Sequence, residues 1–287
     1  MDKKSILDAV EIFPLLILIK CTKFLPLRLE VTIGGMFFSV LLQLSRKLRN
    51  RVSHNLQLAM PHITGKRKKQ FIKEFGNFAG MTFMELIFNE EFQKEVLHFK
   101  HSESQLSPIR AAQAQGRPVI IVSAHLGPWE AIRAVLKHYN LTAGAIYKKN
   151  KNRFYEPIHL EAIKHGGNPI FPIGAAGTKK MIQYLKKGGI VAVMLDQAAA
   201  DGEFFSFLGI PAKTSTSIAK LALKLNALVI PAYAIRNIKK QDITVYFEPP
   251  IKLTTYKEVT SQLTASIEAR VSSAPHQWYW LHRRWKY

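Results

Sequence analysis

A histidine and a glutamate stand five positions apart in the segment His125-Leu-Gly-Pro-Trp-Glu130. An imidazole can take a proton from a hydroxyl near neutral pH. A carboxylate bonded to its second ring nitrogen would orient it and stabilise its charged form. The same spacing occurs at His98 and Glu103, so spacing alone is a weak signal. His98 lies in a charged, helix-like stretch, and we interpret that pair as surface residues.

What distinguishes His125 is the segment before it. Residues 118–123 (PVIIVS) form a short, β-branched and almost entirely apolar run, which predicts a strand buried on both faces. Open α/β sheets bind their ligands at the carboxyl ends of such strands. Pro128 is predicted to begin a helix that runs to about residue 139. Glu130 would fall in its first turn, from where it could fold back towards the imidazole.

The rest of the chain predicts the elements that must hold this site. From residue 105 onwards, short apolar runs alternate with helical patterns, which predicts an α/β fold with a central, mostly parallel sheet flanked by helices. A second buried strand is predicted at residues 190–195 (IVAVML) and ends at Asp196 and Gln197. These two residues should therefore line the same cleft as His125. For Asp196, a loop or helix cap is the alternative interpretation.

The N-terminal region has a different character. Residues 12–19 are apolar and residues 31–44 carry no charge, but both runs are shorter than the roughly 20 residues of a membrane-spanning helix. Because lysines flank these runs, we predict apolar, membrane-associating helices over residues 1–45, with a pair of buried core helices as the alternative. Residues 46–104 are predicted to be a basic helical region, helical from 66 to 100, and residues 105–287 the α/β core.

Charge sets the kind of partner. The chain has 41 Lys and Arg against 20 Asp and Glu, a formal net charge of +21, so its surface favours an anionic partner. Zinc-finger spacing, a basic region leading into heptads and a helix-turn-helix are all absent from the sequence, so an anionic membrane is favoured over nucleic acid. No Cys or His cluster suggests a metal, and we expect neither metal nor cofactor. A non-catalytic, basic protein that binds a membrane or nucleic acid, or serves as a scaffold, is the alternative, although it leaves the strand-end histidine unexplained.

Four segments occur in a recognisable order. They are His125 to Glu130, Leu195-Asp196-Gln197, Phe205 to Ala212 and Pro275 to Lys286. In these segments the chain resembles the late acyltransferases of lipid A biosynthesis (the lauroyl and myristoyl transferases), within the glycerolipid acyltransferase superfamily, over about residues 30–287. The resemblance implies a membrane-associated O-acyltransferase at the cytoplasmic face of the bacterial inner membrane. It would move a fatty acyl group from acyl carrier protein to a hydroxyl of a phosphorylated lipid A precursor, with no covalent enzyme intermediate.

The resemblance also implies residue roles. His125 would deprotonate the acceptor hydroxyl, and Glu130 would orient His125. Lys148 stands where the family has an arginine, so it keeps the positive charge but loses the bidentate fork. Together with Asp196, Gln197 and Arg283 it is expected to bind substrate. Two alternatives share this chemistry: a family member acting on another glycolipid, such as a phosphatidylinositol mannoside, and one that takes its acyl group from coenzyme A.

Overall fold

The computed structural model describes residues 3–237 and 242–286, and its first third is helical. The helices are α1 (Lys3–Thr22), α2 (Leu27–Leu44), α3 (Arg46–Ala59), α4 (Gly65–Ile87) and α5 (Asn89–Lys94). Helix α2 packs closely along α4 because glycines lie at their contact. A Cβ added at Gly80 would lie 2.5 Å from the Gly34 carbonyl oxygen. One face of α2 is therefore packed against α4.

Beyond α5 the chain alternates between strands and helices. The strands are β1 (Phe99–Lys100), β2 (Val119–Ser123), β3 (Ala143–Tyr147), β4 (Ile170–Pro172), β5 (Ile190–Met194), β6 (Glu203–Phe207), β7 (Ile210–Thr214), β8 (Leu228–Asn237) and β9 (Asp242–Phe247). The helices are α6 (Ser107–Ala114), α7 (Glu130–His138), α8 (Glu156–His165), α9 (Ala175–Lys186), α10 (Ser217–Leu225) and α11 (Tyr256–Ser273).

Seven strands form one sheet in the order β1-β9-β8-β2-β5-β3-β4. Its strands pair in parallel except for β8 and β9, which are antiparallel. Every residue of β2 is buried. One face of the sheet packs against α9, α10, α11 and the start of α4, and the other packs against α6 and α7. The predicted α/β class with a mostly parallel sheet is thus confirmed.

Some local predictions were wrong. Residues 99 and 100, predicted to be helical, form the short strand β1, which pairs in parallel with β9. Helix α7 begins at Glu130 instead of at Pro128, because Gly127 takes a positive φ of 57° and the chain turns once more before the helix. The hairpin of β6 and β7 was not predicted. Leu208 and Gly209 both have positive φ at its turn, the geometry of a two-residue hairpin loop.

The N-terminal helices cover the predicted apolar runs and extend beyond them. Helix α2 includes residues 27–30 as well as the uncharged run, which gives it 18 residues with a mean hydropathy of 1.4. By length and composition alone it could cross a membrane, although 33% of its residues are buried inside the protein. Large apolar side chains on α1 and α2 are exposed: Val10, Phe13, Ile17, Leu29, Met36, Val40, Leu41 and Leu44.

Candidate active site

The ends of two neighbouring strands bring a histidine and an aspartate together. Strands β2 and β5 are parallel and in register, with Ser123 opposite Met194. His125 and Asp196 each follow two residues later and therefore meet at the carboxyl edge of the sheet. His125 Nδ1 lies 2.8 Å from Asp196 Oδ1, and the backbone N–H of His125 donates to Asp196 Oδ2 at 3.0 Å.

Asp196 is held as a carboxylate. Its side chain is fully buried, and Trp278 Nε1 donates a third hydrogen bond to Oδ2 at 2.9 Å. Burial by itself would raise the pKa of Asp196. The charge and hydrogen bond of His125, the charge of His282 and the hydrogen bond of Trp278 together hold that pKa below its usual range. Asp196 is therefore an anion at the pH at which an imidazole base works.

The C-terminal segment after α11 fixes the loop that carries His125. The backbone N–H of Tyr279 donates to the His125 carbonyl oxygen at 2.9 Å, and Trp278 forms an isolated β-bridge with Leu126. Asn55, on α3, donates to the carbonyl oxygens of Trp280 and His282, both at 2.7 Å. The aromatic terminal segment is thus part of the site and not only a packed end of the chain.

A second histidine, which sequence reasoning missed, stands beside the first. The rings of His125 and His282 have centroids 4.6 Å apart. The amide nitrogen of Gln197 lies 3.5 Å from Nε2 of His125 and 3.4 Å from Nε2 of His282. Burial and the neighbouring His125 lower the pKa of His282 to about 4, so it is neutral near pH 7. The only sequence signal was its place in the terminal segment, between Leu281 and Arg283.

One possible ligand atom from each of His125, Asp196 and His282 lies within 4.8 Å of the other two, close enough to suggest a metal site. However, the two carboxylate oxygens of Asp196 already accept three hydrogen bonds. A carboxylate that already accepts three hydrogen bonds is better suited to orienting an imidazole than to ligating a cation. We therefore interpret the cluster as an acid–base arrangement.

Glu130 lines the same cleft, but its carboxylate is bound to residues other than His125. Its buried carboxylate pairs with Arg133 Nη1 at 3.0 Å and accepts a hydrogen bond from Asn89 at 3.2 Å. Arg133 in turn donates to the carbonyl oxygens of Ile163 and Gly167. The carboxylate found on Nδ1 of His125 is therefore that of Asp196, where Glu130 had been expected.

The other predicted site residues separate into two groups. Lys148, which follows β3, and Gln197 line the cleft together with His125. Arg283 is exposed and lies outside the set of described residues that line it, whereas its neighbour Arg284 is buried. Arg284 donates to the Lys213 carbonyl oxygen at 2.7 Å and to Thr214 Oγ1 at 2.6 Å. It anchors the terminal segment to β7.

The cleft itself is mostly apolar. It has a volume of about 600 Å³, within the range of small-molecule sites. Further polar residues in its lining are Tyr147, His159, Thr178, Ser215 and Ser217. Apolar side chains from α4, α8, α9, α10 and the neighbouring strands form the rest of its walls, among them Leu86, Ile163, Phe171, Met181, Val193, Leu195 and Ile218. Such a cleft suits a hydrocarbon chain whose reactive end lies at His125.

An imidazole bound to a buried carboxylate beside a mostly apolar cleft, at the carboxyl edge of a mostly parallel α/β sheet, is compatible with an enzyme that moves a group to or from a lipid. The comparisons with known proteins agree. A family model for the bacterial lipid A biosynthesis acyltransferases matches residues 3–287. The chain therefore belongs to this family and is an acyltransferase enzyme.

Individual relatives are similar over most of their length. A lipid A biosynthesis acyltransferase of Haemophilus influenzae is 24% identical over 263 residues, which cover 90% of this chain and 82% of the relative. The lipid A biosynthesis acyltransferase 2 of Shigella flexneri is 22% identical over 83% of this chain and 78% of its own. The lipid A biosynthesis palmitoleoyltransferase of Escherichia coli K12 is 21% identical over 81% of this chain and 76% of its own.

Proposed function

We propose that this acyltransferase moves a fatty acyl group from acyl carrier protein to a hydroxyl of a lipid A precursor, with His125 as general base. One observation carries the proposal. His125 has Nδ1 on the buried Asp196 carboxylate, and its Nε2 faces Gln197 beside an apolar cleft. With a proton fixed on Nδ1, Nε2 keeps the lone pair that a general base needs.

In the proposed reaction the acceptor hydroxyl gives its proton to Nε2 of His125 while its oxygen attacks the thioester carbonyl carbon. The new C–O bond produces a tetrahedral intermediate with a negative oxygen. The intermediate collapses as the C–S bond breaks, and the thiolate takes the proton from Nε2. Asp196 stabilises the transient imidazolium. His125 therefore accepts a proton from the hydroxyl, passes it to the thiolate and is neutral again at the end of each turnover.

We assign the orienting role to Asp196 and a different role to Glu130. Three hydrogen bonds fix Asp196, and its oxygen lies 2.8 Å from Nδ1. Glu130 and Arg133 instead tie the start of α7 to the end of α8 and the turn that follows it. This wall is tightly packed, since a Cβ at Gly166 would come within 2.3 Å of Glu130 Oε2. Glu130 thus shapes the cleft beside the base.

Gln197 lines the polar end of the cleft, and His282 lies beside Gln197. The amide nitrogen of Gln197 can donate one hydrogen to each imidazole, provided that both present an unprotonated Nε2. A neutral His282 fits this requirement. We propose that the hydrogen bond to His282 fixes the direction of the Gln197 amide. When the acceptor hydroxyl approaches Nε2 of His125, the second amide N–H would move from Nε2 to the reacting oxygen, which frees the lone pair of Nε2 to accept the proton. Lys148 supplies a positive charge further along the same cleft.

We also propose that the protein works at the cytoplasmic face of the bacterial inner membrane, held there by α1 and α2. Their exposed apolar side chains, such as Phe13 (61% exposed) and Val40 (58% exposed), would enter the lipid. Arg46 and Lys47 follow directly at the start of α3 and are exposed, so they would meet anionic headgroups. The same placement brings a lipid acceptor to the cleft.

The test is transfer of a labelled acyl group from acyl carrier protein to a tetraacylated lipid A precursor, with acyl-coenzyme A and other glycolipids run in parallel. Transfer by the wild type, with a loss of about a hundredfold or more for His125→Ala, is the expected result. Transfer only from coenzyme A, or only to another glycolipid, would replace the donor or the acceptor. No transfer to any lipid would reject the proposed substrates.

A further inference from the structure

Positive charge is concentrated along one side of the cleft. Residues 148–187 contain nine Lys and Arg and only two Glu. Within this stretch, two places border the cleft mouth: the loop after β3 and the first turns of α9, which follow adjacent strands of the sheet. Their lysines are here termed the rim lysines: Lys148, Lys149, Lys179 and Lys180.

The rim lysines are free to bind a partner. All four are exposed, and across residues 3–237 and 242–286 the structure pairs none of them with a carboxylate. The two glutamates of the stretch are otherwise engaged. Glu156 accepts hydrogen bonds from the Tyr147 hydroxyl and the backbone N–H of Asn150, and Glu161 pairs with Lys164 at 3.1 Å. Uncompensated like charges at a cleft attract anionic partners over distance.

An apolar side chain stands among these charges. Ile173 is 66% exposed and lines the cleft between β4 and α9. A bare cluster of lysines would suit any anion. An exposed aliphatic residue within such a cluster resembles instead the core and polar rim of a protein interface.

A second basic region has a different setting. Arg46, Lys47, Lys66 and Lys69 are exposed on α3 and α4. In the chain they follow the exposed apolar end of α2, where Leu44 is 77% exposed. That combination suits a bilayer surface. The two basic regions thus have different neighbours. The region on α3 and α4 follows an apolar, exposed helix, whereas the rim lysines border the mouth of the cleft.

We propose that the rim lysines and Ile173 form the docking surface for the acidic protein that carries the acyl thioester. This inference rests on the proposed function, because the carrier must present its thioester to His125 through this cleft. Lys148 lines the cleft, so a carrier seated on the rim would lie directly above the path of the acyl chain. The loop after β3 also contacts α1, where Asn152 Nδ2 donates to the Asp8 carbonyl oxygen at 2.8 Å. A docked carrier would therefore sit beside the membrane helices.

The experiment compares two donors in two charge-reversal variants. The rim variant is Lys149→Glu with Lys180→Glu. The control is Lys186→Glu with Lys187→Glu, the same change in charge at the other end of α9. The donors are acyl carrier protein and a small, neutral acyl thioester of N-acetylcysteamine.

The rim variant is expected to lower the ratio of kcat/KM for the carrier over the neutral thioester by about tenfold or more, mainly through KM, whereas the control leaves this ratio unchanged. Added salt should lower the wild-type rate with the carrier more than that of the rim variant. Ile173→Ser should lower the same ratio without changing its salt dependence.

Equal ratios in wild type and rim variant would overturn the docking surface. So would a rim variant that instead loses affinity for vesicles containing an anionic phospholipid, because the surface would then belong to the lipid. Direct titration of wild type and rim variant with acyl carrier protein decides the inference even where activity is lacking. Wild type that transfers from neither donor would reject the proposed function, whereas binding by the wild type alone would still support the surface.

Discussion

Two buried carboxylates lie near the cleft, and their neighbours give them opposite roles. Glu130 is part of the cleft wall, whereas Asp196 lies behind His125 and is not among the residues that line the cleft. Asp196 accepts hydrogen bonds from an imidazole, an indole and a backbone N–H. Glu130 faces the guanidinium of Arg133, which is always charged. A carboxylate beside a titratable base can change the pKa and the orientation of that base. A carboxylate beside a permanent cation forms an ion pair whose role is structural. Burial and a position at the cleft are therefore insufficient to assign a catalytic role.

The difference originates in the elements that carry the two residues. Asp196 follows β5, the strand paired in register with β2, so the sheet itself sets its distance to His125. Glu130 is the first residue of α7, and its carboxylate binds Arg133 on the same helix, which in turn donates to α8. Parallel strands that end together position residues more strictly than a helix that begins five positions after the histidine.

The largest effect is expected at the base and its partner. His125→Ala and Asp196→Asn should each lower kcat by about 10² to 10⁴-fold, since the first removes the base and the second the anion that orients and stabilises it. Single-turnover transfer from acyl carrier protein measures the loss, and circular dichroism checks that both variants fold. An Asp196→Asn enzyme with nearly full activity would remove Asp196 from the mechanism.

Substitution of Glu130 should reduce stability more than activity. Glu130→Ala leaves Arg133 buried without its counter-charge, so we expect a loss of about 3–5 kcal/mol in the free energy of unfolding. The activity of the molecules that remain folded should fall much less than in His125→Ala. Thermal and denaturant unfolding in detergent measure the first quantity, and rates normalised to folded enzyme give the second.

Arg133→Leu is the matched control for Glu130→Ala, since it removes the other charge of the same ion pair. The two substitutions together form a double-mutant cycle. We expect the double variant to be more stable than the sum of the single losses predicts, since neither charge is then left alone. If Glu130→Ala is instead stable and loses activity as completely as His125→Ala, Glu130 belongs to the catalytic group and the contrast with Asp196 disappears.

Much of this fold was predictable, because short runs of sequence identify the buried strands. The runs at residues 118–123 and 190–195 are short, apolar and β-branched, so strands buried on both faces could be identified without knowledge of their partners. The hairpin of β6 and β7 was missed because most residues of its two strands are half-exposed or exposed, so neither strand has a buried apolar run. Its turn also uses Leu208 at positive φ. A leucine in that conformation is uncommon and carries no sequence signal.

The site was only partly predictable, because some of its contacts have no local sequence signal. His125, Asp196 and Gln197 follow buried strands and were identified as candidates from that position. The choice between Glu130 and Asp196 as the partner of His125 depends on the order of strands in the sheet, which a sequence does not state. His282 was missed because it reaches the site through the terminal segment, 157 positions after His125, by contacts with Asn55 and the His125 loop.

The neutral state of His282 predicts a dependence of stability on pH. Burial lowers its pKa from 6.5 to about 4 in the folded protein. Between these values the unfolded chain binds a proton that the folded chain does not, so stability falls as the pH drops from 7.5 to 5. The expected contribution is about 2 kcal/mol.

His282→Gln should lack this contribution, while the histidines that do not contact His282 affect both proteins alike. The measurement is denaturant unfolding of both proteins at pH 7.5 and pH 5, and the difference between the two losses isolates His282. Equal losses in wild type and variant would mean that His282 titrates normally, and its role in directing Gln197 would then have no support.

The smallest effect is expected at Gln197, whose amide nitrogen faces both imidazoles. Gln197→Ala removes one hydrogen bond at the reacting end of the cleft, about 1.4 kcal/mol, so kcat should fall by about tenfold while the Asp196–His125 pair stays intact. Gln197→Glu should differ in kind, because a carboxylate beside Nε2 favours the protonated imidazole and moves the acidic limb of the pH–rate profile to higher pH. Profiles of both variants, measured beside wild type, separate the two effects. A Gln197→Ala loss as large as that of Asp196→Asn would show that the amide, and not only the buried carboxylate, is required for His125 to act as a base.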